Sequence, residues 1–172
     1  VKTVLALGNP GDRYRDTRHN AGWWLADRLR TAWSLSRWRS RPLAMETRGR
    51  SGPAAVRLLK PLTYVNRTGQ VLTALDAENG PDPVQDLLIV VDDVWLAPGE
   101  FRFRSQGSSG GHNGLESVEQ ALGSPEYARL RIGVGKPHDS RIDLAKWVLA
   151  PLRPADEEAV ISAFDEMVKG IE

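Results

Sequence analysis

The sequence predicts an α/β fold: a single three-layer domain over residues 1–172, with a central mixed, mostly parallel β-sheet flanked by helices. Three observations carry that expectation. Short apolar runs rich in Val, Ile and Leu alternate with stretches of helical spacing, the order of a sheet covered by helices. The run at residues 87–91 is apolar throughout, as a central strand buried on both faces should be. Residues 44–60 read as a hairpin, so one pair of strands is antiparallel and the sheet is mixed.

In chain order, residues 3–7 form the first buried strand. Gly8-Asn9-Pro10-Gly11 ends it, because glycine suits left-handed turn positions and proline fixes φ. After a polar loop, residues 21–33 take helical spacing, with Leu25, Leu29, Ala32 and Trp33 at i, i+4, i+7 and i+8. Asn9 thus sits at the carboxyl end of a strand, the rim where open α/β sheets bind ligands. His19 sits where the loop enters the helix, over the same rim. Residues 34–41, basic and polar around Trp38, read as an exposed connection. Residues 44–48 and 55–60 flank the turn Gly49-Arg50-Ser51-Gly52-Pro53. From Val65 the spacing is helical again, with Val65, Thr68, Leu72 and Leu75 on one face and an end before Asn79-Gly80-Pro81. Asn66 falls in the first turn.

The strand at 87–91 stops at Asp92-Asp93. Residues 101–104 alternate apolar and basic, a strand with one wet face, and residues 105–111 are a polar, Gly-rich loop. Asn113 is the expected N-cap of a short helix, with Glu116 three residues on and Leu115, Val118 and Leu122 on one face. A strand at 130–134 and a short helix at 144–149 follow. Pro154 opens one terminal helix, with Asp156, Glu157 and Glu158 where the dipole favours them and Val160, Phe164, Met167 and Val168 as its apolar stripe.

Composition narrows the function classes. The 23 Lys+Arg and 22 Asp+Glu nearly cancel, so partners of opposite charge would have to be met by a local patch. With no Cys there is no thiol nucleophile, disulfide or Cys-type zinc cluster. His19, His112 and His138 lie too far apart in sequence to form a metal-ligand motif, and no metal or cofactor is expected. No apolar stretch approaches membrane-spanning length and no signal segment opens the chain, so a cytoplasmic protein without a membrane partner is expected. The chain opens on Val1, not Met, so its recorded start is expected to be trimmed or unusual.

The polar groups at the rim are the candidates for chemistry. An imidazole is half-ready to take a proton near neutral pH, so His19 can serve as a general base; the plainer alternative is a helix-terminus His bonded to backbone. A carboxylate at the end of the central strand can hold a His in the correct tautomer, and alternation along a strand lets only one of Asp92 and Asp93 face the His19 loop. Asn9, Asn66 and Asn113 each have a local explanation as a turn, a first helical turn and an N-cap. Gathered at one rim, their uncharged amides suit recognition of peptide backbone and carbonyl oxygens and can stabilise a developing oxyanion. Arg102, Arg104, Arg129, Arg131, Lys136 and Arg141 form either a phosphate-binding strip or a solvated basic face. Gly107-Ser108-Ser109-Gly110-Gly111 matches the G-x-S-x-G pattern of a nucleophile elbow, although loop residues separate Ser109 from the preceding strand and only His138 follows as a late base. Neither a P-loop nor a dinucleotide fingerprint is present.

Together these segments resemble the bacterial peptidyl-tRNA hydrolase family. The similar blocks are Gly8-Asn9-Pro10-Gly11 with Thr17-Arg18-His19-Asn20-Ala21-Gly22, then Lys60-Pro61-Leu62-Thr63-Tyr64-Val65-Asn66, Asp92-Asp93 with Pro98-Gly99, Gly110-Gly111-His112-Asn113-Gly114-Leu115, and Arg129-Leu130-Arg131-Ile132-Gly133-Val134-Gly135. The resemblance implies cleavage of the ester between a peptide's carboxyl end and the 3′-terminal ribose of tRNA, which frees the tRNA for reuse. It implies that His19 is the base that activates water, that Asp92 holds it, and that Asn9 tells N-blocked from free aminoacyl-tRNA. Tyr14, Tyr64, Asn66 and Asn113 match substrate-binding positions around the acceptor end and the peptide. Arg104 and Arg131 match basic positions implicated in contacting tRNA phosphates. The implied protein is a monomer whose partner is peptidyl-tRNA.

The chain departs from the family pattern in places. Tyr64-Val65-Asn66 stands where Phe-Met-Asn is usual, Gln106-Gly107-Ser108-Ser109 replaces a more Gly-rich loop, and Trp95 stands where an acid is usual. The chain also ends after one terminal helix, without the basic tail that often follows. Two other functions stay open at this point: a serine esterase that uses Ser109, and an RNA-binding relative without catalysis.

Overall fold

The computed structural model describes residues 1–76 and 80–172. β1 (Lys2–Ala6) leads through two 3-10 turns, Asp12–Tyr14 and Arg18–Asn20, into α1 (Ala21–Ala32). The short strand β2 (Arg39–Ser40) precedes the hairpin of β3 (Ala44–Ser51) and β4 (Ala54–Pro61). A 3-10 turn, Val65–Arg67, enters α2 (Gly69–Asp76), and then come β5 (Leu87–Asp93), β6 (Phe101–Arg104) and α3 (Asn113–Leu122). β7 (Ala128–Gly133), α4 (Leu144–Val148), α5 (Pro154–Ser162) and α6 (Phe164–Ile171) complete the chain.

The strands form one seven-stranded sheet in the order β2-β3-β4-β1-β5-β7-β6. Its centre, β4-β1-β5-β7, is parallel, while β2, β3 and β6 pair antiparallel at the edges. The expected mixed, mostly parallel sheet is what forms. Side-chain alternation splits the core into two layers. Val4, Ala6, Val90, Leu130 and Ile132 pack with Leu25 and Leu29 of α1 and with Val160, Phe164 and Met167 of α5 and α6. Leu5, Leu7, Ile89 and Val91 pack on the other face with Val71 and Leu72 of α2 and Leu115 and Val118 of α3.

The carboxyl ends of β4, β1, β5 and β7 open on one rim, at the point where the chain passes to either side of β1. Gly22 lets α1 sit directly on that rim: a Cβ there would lie 2.8 Å from the Leu7 carbonyl oxygen and 3.0 Å from that of Val90. This close approach brings the turn before α1, with His19, over the end of β5.

Several local expectations are corrected. The hairpin strands run to Ser51 and Ala54, leaving only Gly52 and Pro53 in the turn, with Gly52 at φ 53°. Residues 34–41 are not a purely exposed connection, because Leu35 is buried against Gly49, the Trp38 indole donates to Asp27 at 2.9 Å, and β2 pairs with β3. The single terminal helix is two, broken at Ala163, whose ψ of −9° departs from helical geometry without a Gly or Pro to announce it. The expected helix end before Asn79-Gly80-Pro81 lies partly outside the described residues. No helix among the described residues is long and apolar enough to cross a membrane.

Candidate active site

Strand parity decides between the two aspartates. Asp92 shares the face of Val90, which packs toward α1, so its carboxylate meets the turn that carries His19. His19 Nδ1 lies 2.8 Å and 2.9 Å from the two Asp92 oxygens. Asp93 points the other way, accepts from the Trp95 backbone N–H at 2.8 Å and faces an Arg131 guanidinium nitrogen at 3.5 Å. The structure therefore brings His19 and Asp92 together and leaves Asp93 to its own loop.

Asp92 is only 2% exposed, and it has a second partner that sequence reasoning missed. His112 Nε2 stands 2.9 Å from Asp92 Oδ1. Its Nδ1 accepts from the backbone N–H groups of Gly114 at 3.1 Å and Leu115 at 3.4 Å, which makes His112, not Asn113, the N-cap of α3. Asn113 is the better N-cap by residue type, which is why spacing alone selects it. The geometry also assigns the protons. An Nδ1 that accepts from backbone cannot carry hydrogen, so the neutral His112 ring carries its proton on Nε2 and donates it to Asp92. His19 likewise donates from Nδ1, which leaves its Nε2 unprotonated and, among the described residues, without a protein partner.

The electrostatics follow from this arrangement. Burial alone would push the His19 pKa down, but the charge and hydrogen bond of Asp92 outweigh it and hold the pKa above the ordinary value of 6.5. Burial alone would raise Asp92, but the hydrogen bonds it accepts from His19 and His112, and its attraction for the imidazolium form of His19, hold it well below the usual carboxylate range.

His19, Asp92 and His112, far apart in sequence, thus place three potential metal ligands within 4.8 Å of one another. The donor set does not fit a metal. A ligating His usually donates its second ring N–H outward, whereas His112 Nδ1 faces two backbone donors. Binding through Nε2 would force a proton against them. The cluster fits proton chemistry instead.

Asn9 is buried and fixed on both sides. Its backbone N–H donates to Asn20 Oδ1 at 2.9 Å, and Asn20 Nδ2 returns a hydrogen bond to the Asn9 carbonyl at 3.0 Å. Asn9 Oδ1 accepts from the Val65 N–H at 2.9 Å. Among the described residues the Asn9 Nδ2 donors have no protein partner, and Asn9 lines the cavity beside His19.

Two cavities flank His19. One, of about 360 Å³, is lined by Asn9, Tyr14, Tyr64, Asn66 and Asn113 with His19. The other, of about 270 Å³, is lined by Asp92, Trp95, Ser109, His112 and Arg131, again with His19 and Asn113. Ala145 and Val148 of α4 line both. The structure therefore gathers Asn9, Tyr14, His19, Tyr64, Asn66, Asp92, Asn113 and Arg131 around one cleft.

The basic strip divides. Arg129 is 0% exposed, so it cannot meet a phosphate. It donates to the Gly107 carbonyl at 2.8 Å and the Pro125 carbonyl at 2.6 Å and stacks 3.9 Å from the Tyr127 ring centre. Arg131 is half-buried and donates to the Ser108 carbonyl at 2.8 Å, so the two arginines hold the 105–111 loop in place. Arg104 stands exposed on the edge strand β6, outside both cavities. Ser109 Oγ accepts from the Gly111 N–H at 3.3 Å, and no hydrogen bond among the described residues joins it to a histidine.

The chain is similar to known proteins over nearly its whole length. The family model described as peptidyl-tRNA hydrolase matches residues 3–172. A peptidyl-tRNA hydrolase of Gemmatimonas aurantiaca is 46% identical over 164 residues, covering 94% of this chain and 85% of that protein. One from Symbiobacterium thermophilum is 41% identical over 182 residues, covering 100% of this chain and 91% of its own. The crystal structure of peptidyl-tRNA hydrolase from Acinetobacter baumannii superposes with a TM-score of 0.89 at 31% identity, covering 98% of this chain and 85% of that one.

Proposed function

The chain belongs to the peptidyl-tRNA hydrolase family and is an enzyme that hydrolyses peptidyl-tRNA; from that premise we propose that His19, held by Asp92, is the general base of the reaction. The observation that carries the proposal is the paired contact of the buried Asp92 carboxylate with His19 Nδ1, at 2.8 Å and 2.9 Å, beside an asparagine-lined cavity.

His19 Nε2 takes a proton from water as the water oxygen attacks the ester carbonyl carbon. Asp92 stabilises the resulting imidazolium and fixes the tautomer. When the tetrahedral intermediate collapses, Nε2–H returns the proton to the departing 3′-oxygen of the ribose. The products are a peptide with a free carboxyl group and a tRNA with a free 3′-hydroxyl. A positioned general base accounts for roughly a hundred- to ten-thousand-fold of rate.

The two cavities divide the substrate. Asn9, Asn66 and Asn113 offer neutral amide groups to the peptide on one side of His19. Arg131 and the Trp95 loop on the other side favour the nucleic-acid end, with Arg104 on the adjacent edge strand available to phosphates farther along the acceptor stem.

Asn9 supports selection of N-blocked substrates. Its Oδ1 is engaged by the Val65 N–H, while its Nδ2 donors have no protein partner among the described residues and line the cavity beside His19. An N-acyl carbonyl accepts from them, whereas a free α-ammonium brings donor against donor. The test compares N-acetyl-aminoacyl-tRNA with the free aminoacyl-tRNA, following release of uncharged tRNA. The blocked substrate should be cleaved and the free one spared, and Asn9→Ala should narrow the difference. Equal cleavage of both by the wild type would refute the assigned role of Asn9.

A further inference from the structure

We propose that Trp95 is a stacking platform for an unpaired base at the 3′ end of the tRNA, with Lys136 beside it to meet the adjoining phosphate. The inference builds on the assignment of that side of the cleft to the nucleic-acid end. Trp95 is 63% exposed, and it is the one exposed tryptophan of the chain's six. The indole N–H groups of Trp24, Trp33, Trp38 and Trp147 donate to protein acceptors, and that of Trp23 is buried. Among the described residues no hydrogen bond engages the Trp95 indole N–H, and Lys136 Nζ stands over its ring.

An open aromatic side chain is not by itself a site, but the setting of this one is specific. It lines the cavity shared with His19 and also the adjoining cavity of about 710 Å³ that Lys136, His138 and Arg153 line. Lys136 Nζ lies 5.5 Å from the ring centre. The loop is fixed before anything binds. The Trp95 N–H donates to Asp93 Oδ1 at 2.8 Å, the Val134 N–H to the Asp93 carbonyl at 3.0 Å, and the Gly135 N–H to the Leu96 carbonyl at 2.9 Å. An aromatic side chain has few rotatable bonds, so on a backbone already held in place it loses little freedom when a base stacks on it. Every base has a flat π-face, and pairing such stacking with a cation for the backbone is how single strands are held. The peptide side of His19 shows the contrasting chemistry, with neutral amides and no lysine or arginine in its lining.

The test uses the unacylated trinucleotide cytidyl-cytidyl-adenosine, which carries no peptide, as a competitive inhibitor of the intact enzyme on N-acetyl-aminoacyl-tRNA. Trp95→Ala should weaken its inhibition and raise KM about tenfold, the scale of one lost base–aromatic stack, with little change in kcat. Trp95→Phe should recover most of the loss, because it keeps a ring. Lys136→Ala should weaken inhibition more at low salt than at high salt. The proposal fails if Trp95→Ala leaves trinucleotide inhibition unchanged, or if Phe is no better than Ala. It also fails if Trp95→Ala weakens product inhibition by N-acetyl-phenylalanine instead, which would turn the indole toward the peptide. A wild-type enzyme that needs His19 while Trp95→Ala is neutral removes this inference alone. A wild type that shows no cleavage of N-acetyl-aminoacyl-tRNA removes the assignment beneath it.

Discussion

Asp92 and Asp93 are neighbours of one residue type on one strand, yet only Asp92 meets His19, because adjacent side chains leave a strand on opposite faces. Asp92→Asn keeps the shape and removes the charge. Turnover should fall by roughly a hundred- to ten-thousand-fold, as when the carboxylate of a comparable triad is neutralised. The pH dependence carries a definite sign. In the proposed mechanism the base is neutral His19, whose pKa is raised above 6.5, so kcat/KM should rise through an acid limb above that value. Without the Asp92 charge, burial of the imidazole prevails, and the limb should move to lower pH while the plateau drops. Stability follows the same linkage. The raised His19 contributes stability fully below its ordinary value and loses it as pH rises through the folded pKa. The depressed Asp92 contributes above its ordinary value and loses it only as pH falls through the folded pKa. Thermal unfolding should therefore show the wild type's margin over Asp92→Asn widest near about pH 5 and narrower near about pH 9. Asp93→Asn, which keeps an acceptor for the Trp95 N–H, should change turnover by no more than a few-fold. Equal loss from both variants would contradict the parity assignment.

At the scale of elements, α3 and the catalytic rim share one residue. His112 caps the helix through Nδ1 and donates to Asp92 through Nε2. His112→Ala should cost about 1 kcal/mol of stability from the lost cap and also lower kcat. His112→Asn restores a capping side chain but cannot reach Asp92 in the same way, so melting temperature should recover while kcat stays low. Recovery of both together would reduce His112 to a cap. The residue also marks how far sequence reaches. The central strand, its end at two aspartates, the turn at Asn9 and the entry of His19 into α1 were legible because each has a local cause: an unbroken apolar run, a Gly-Pro turn, a change of period. His112 was not, since its role comes from a carboxylate twenty residues away in sequence and its capping use runs against residue preference. Arg129 and Arg131 sit two apart on one strand and look alike in sequence. Burial separates them, and burial depends on where the 105–111 loop folds back. The break at Ala163 has no local Gly or Pro to announce it.

At the scale of the molecule, a chain with nearly balanced charge must meet a polyanion through local geometry. The cleft lies at the rim of the parallel strands, and exposed cations stand along its β7-β6 side. Arg104→Ala should raise KM for peptidyl-tRNA more than it lowers kcat, and should flatten the salt dependence of tRNA binding by about one unit or less of log–log slope. On an N-acyl-aminoacyl ester of adenosine, which has no stem, the same variant should match the wild type. Failure on that small ester would move Arg104 from the tRNA footprint to support of the fold. The central claim concerns His19, and it is tested most directly by single-turnover release of free tRNA from N-acetyl-aminoacyl-tRNA by His19→Ala, with tRNA affinity measured in parallel and Ser109→Ala as the control. The account predicts that His19→Ala binds tRNA as the wild type does yet cleaves roughly a hundred- to ten-thousand-fold more slowly, while Ser109→Ala stays within a few-fold of wild type. A His19→Ala protein that still cleaves at near wild-type rate, or a folded Ser109→Ala protein that does not cleave, would contradict it.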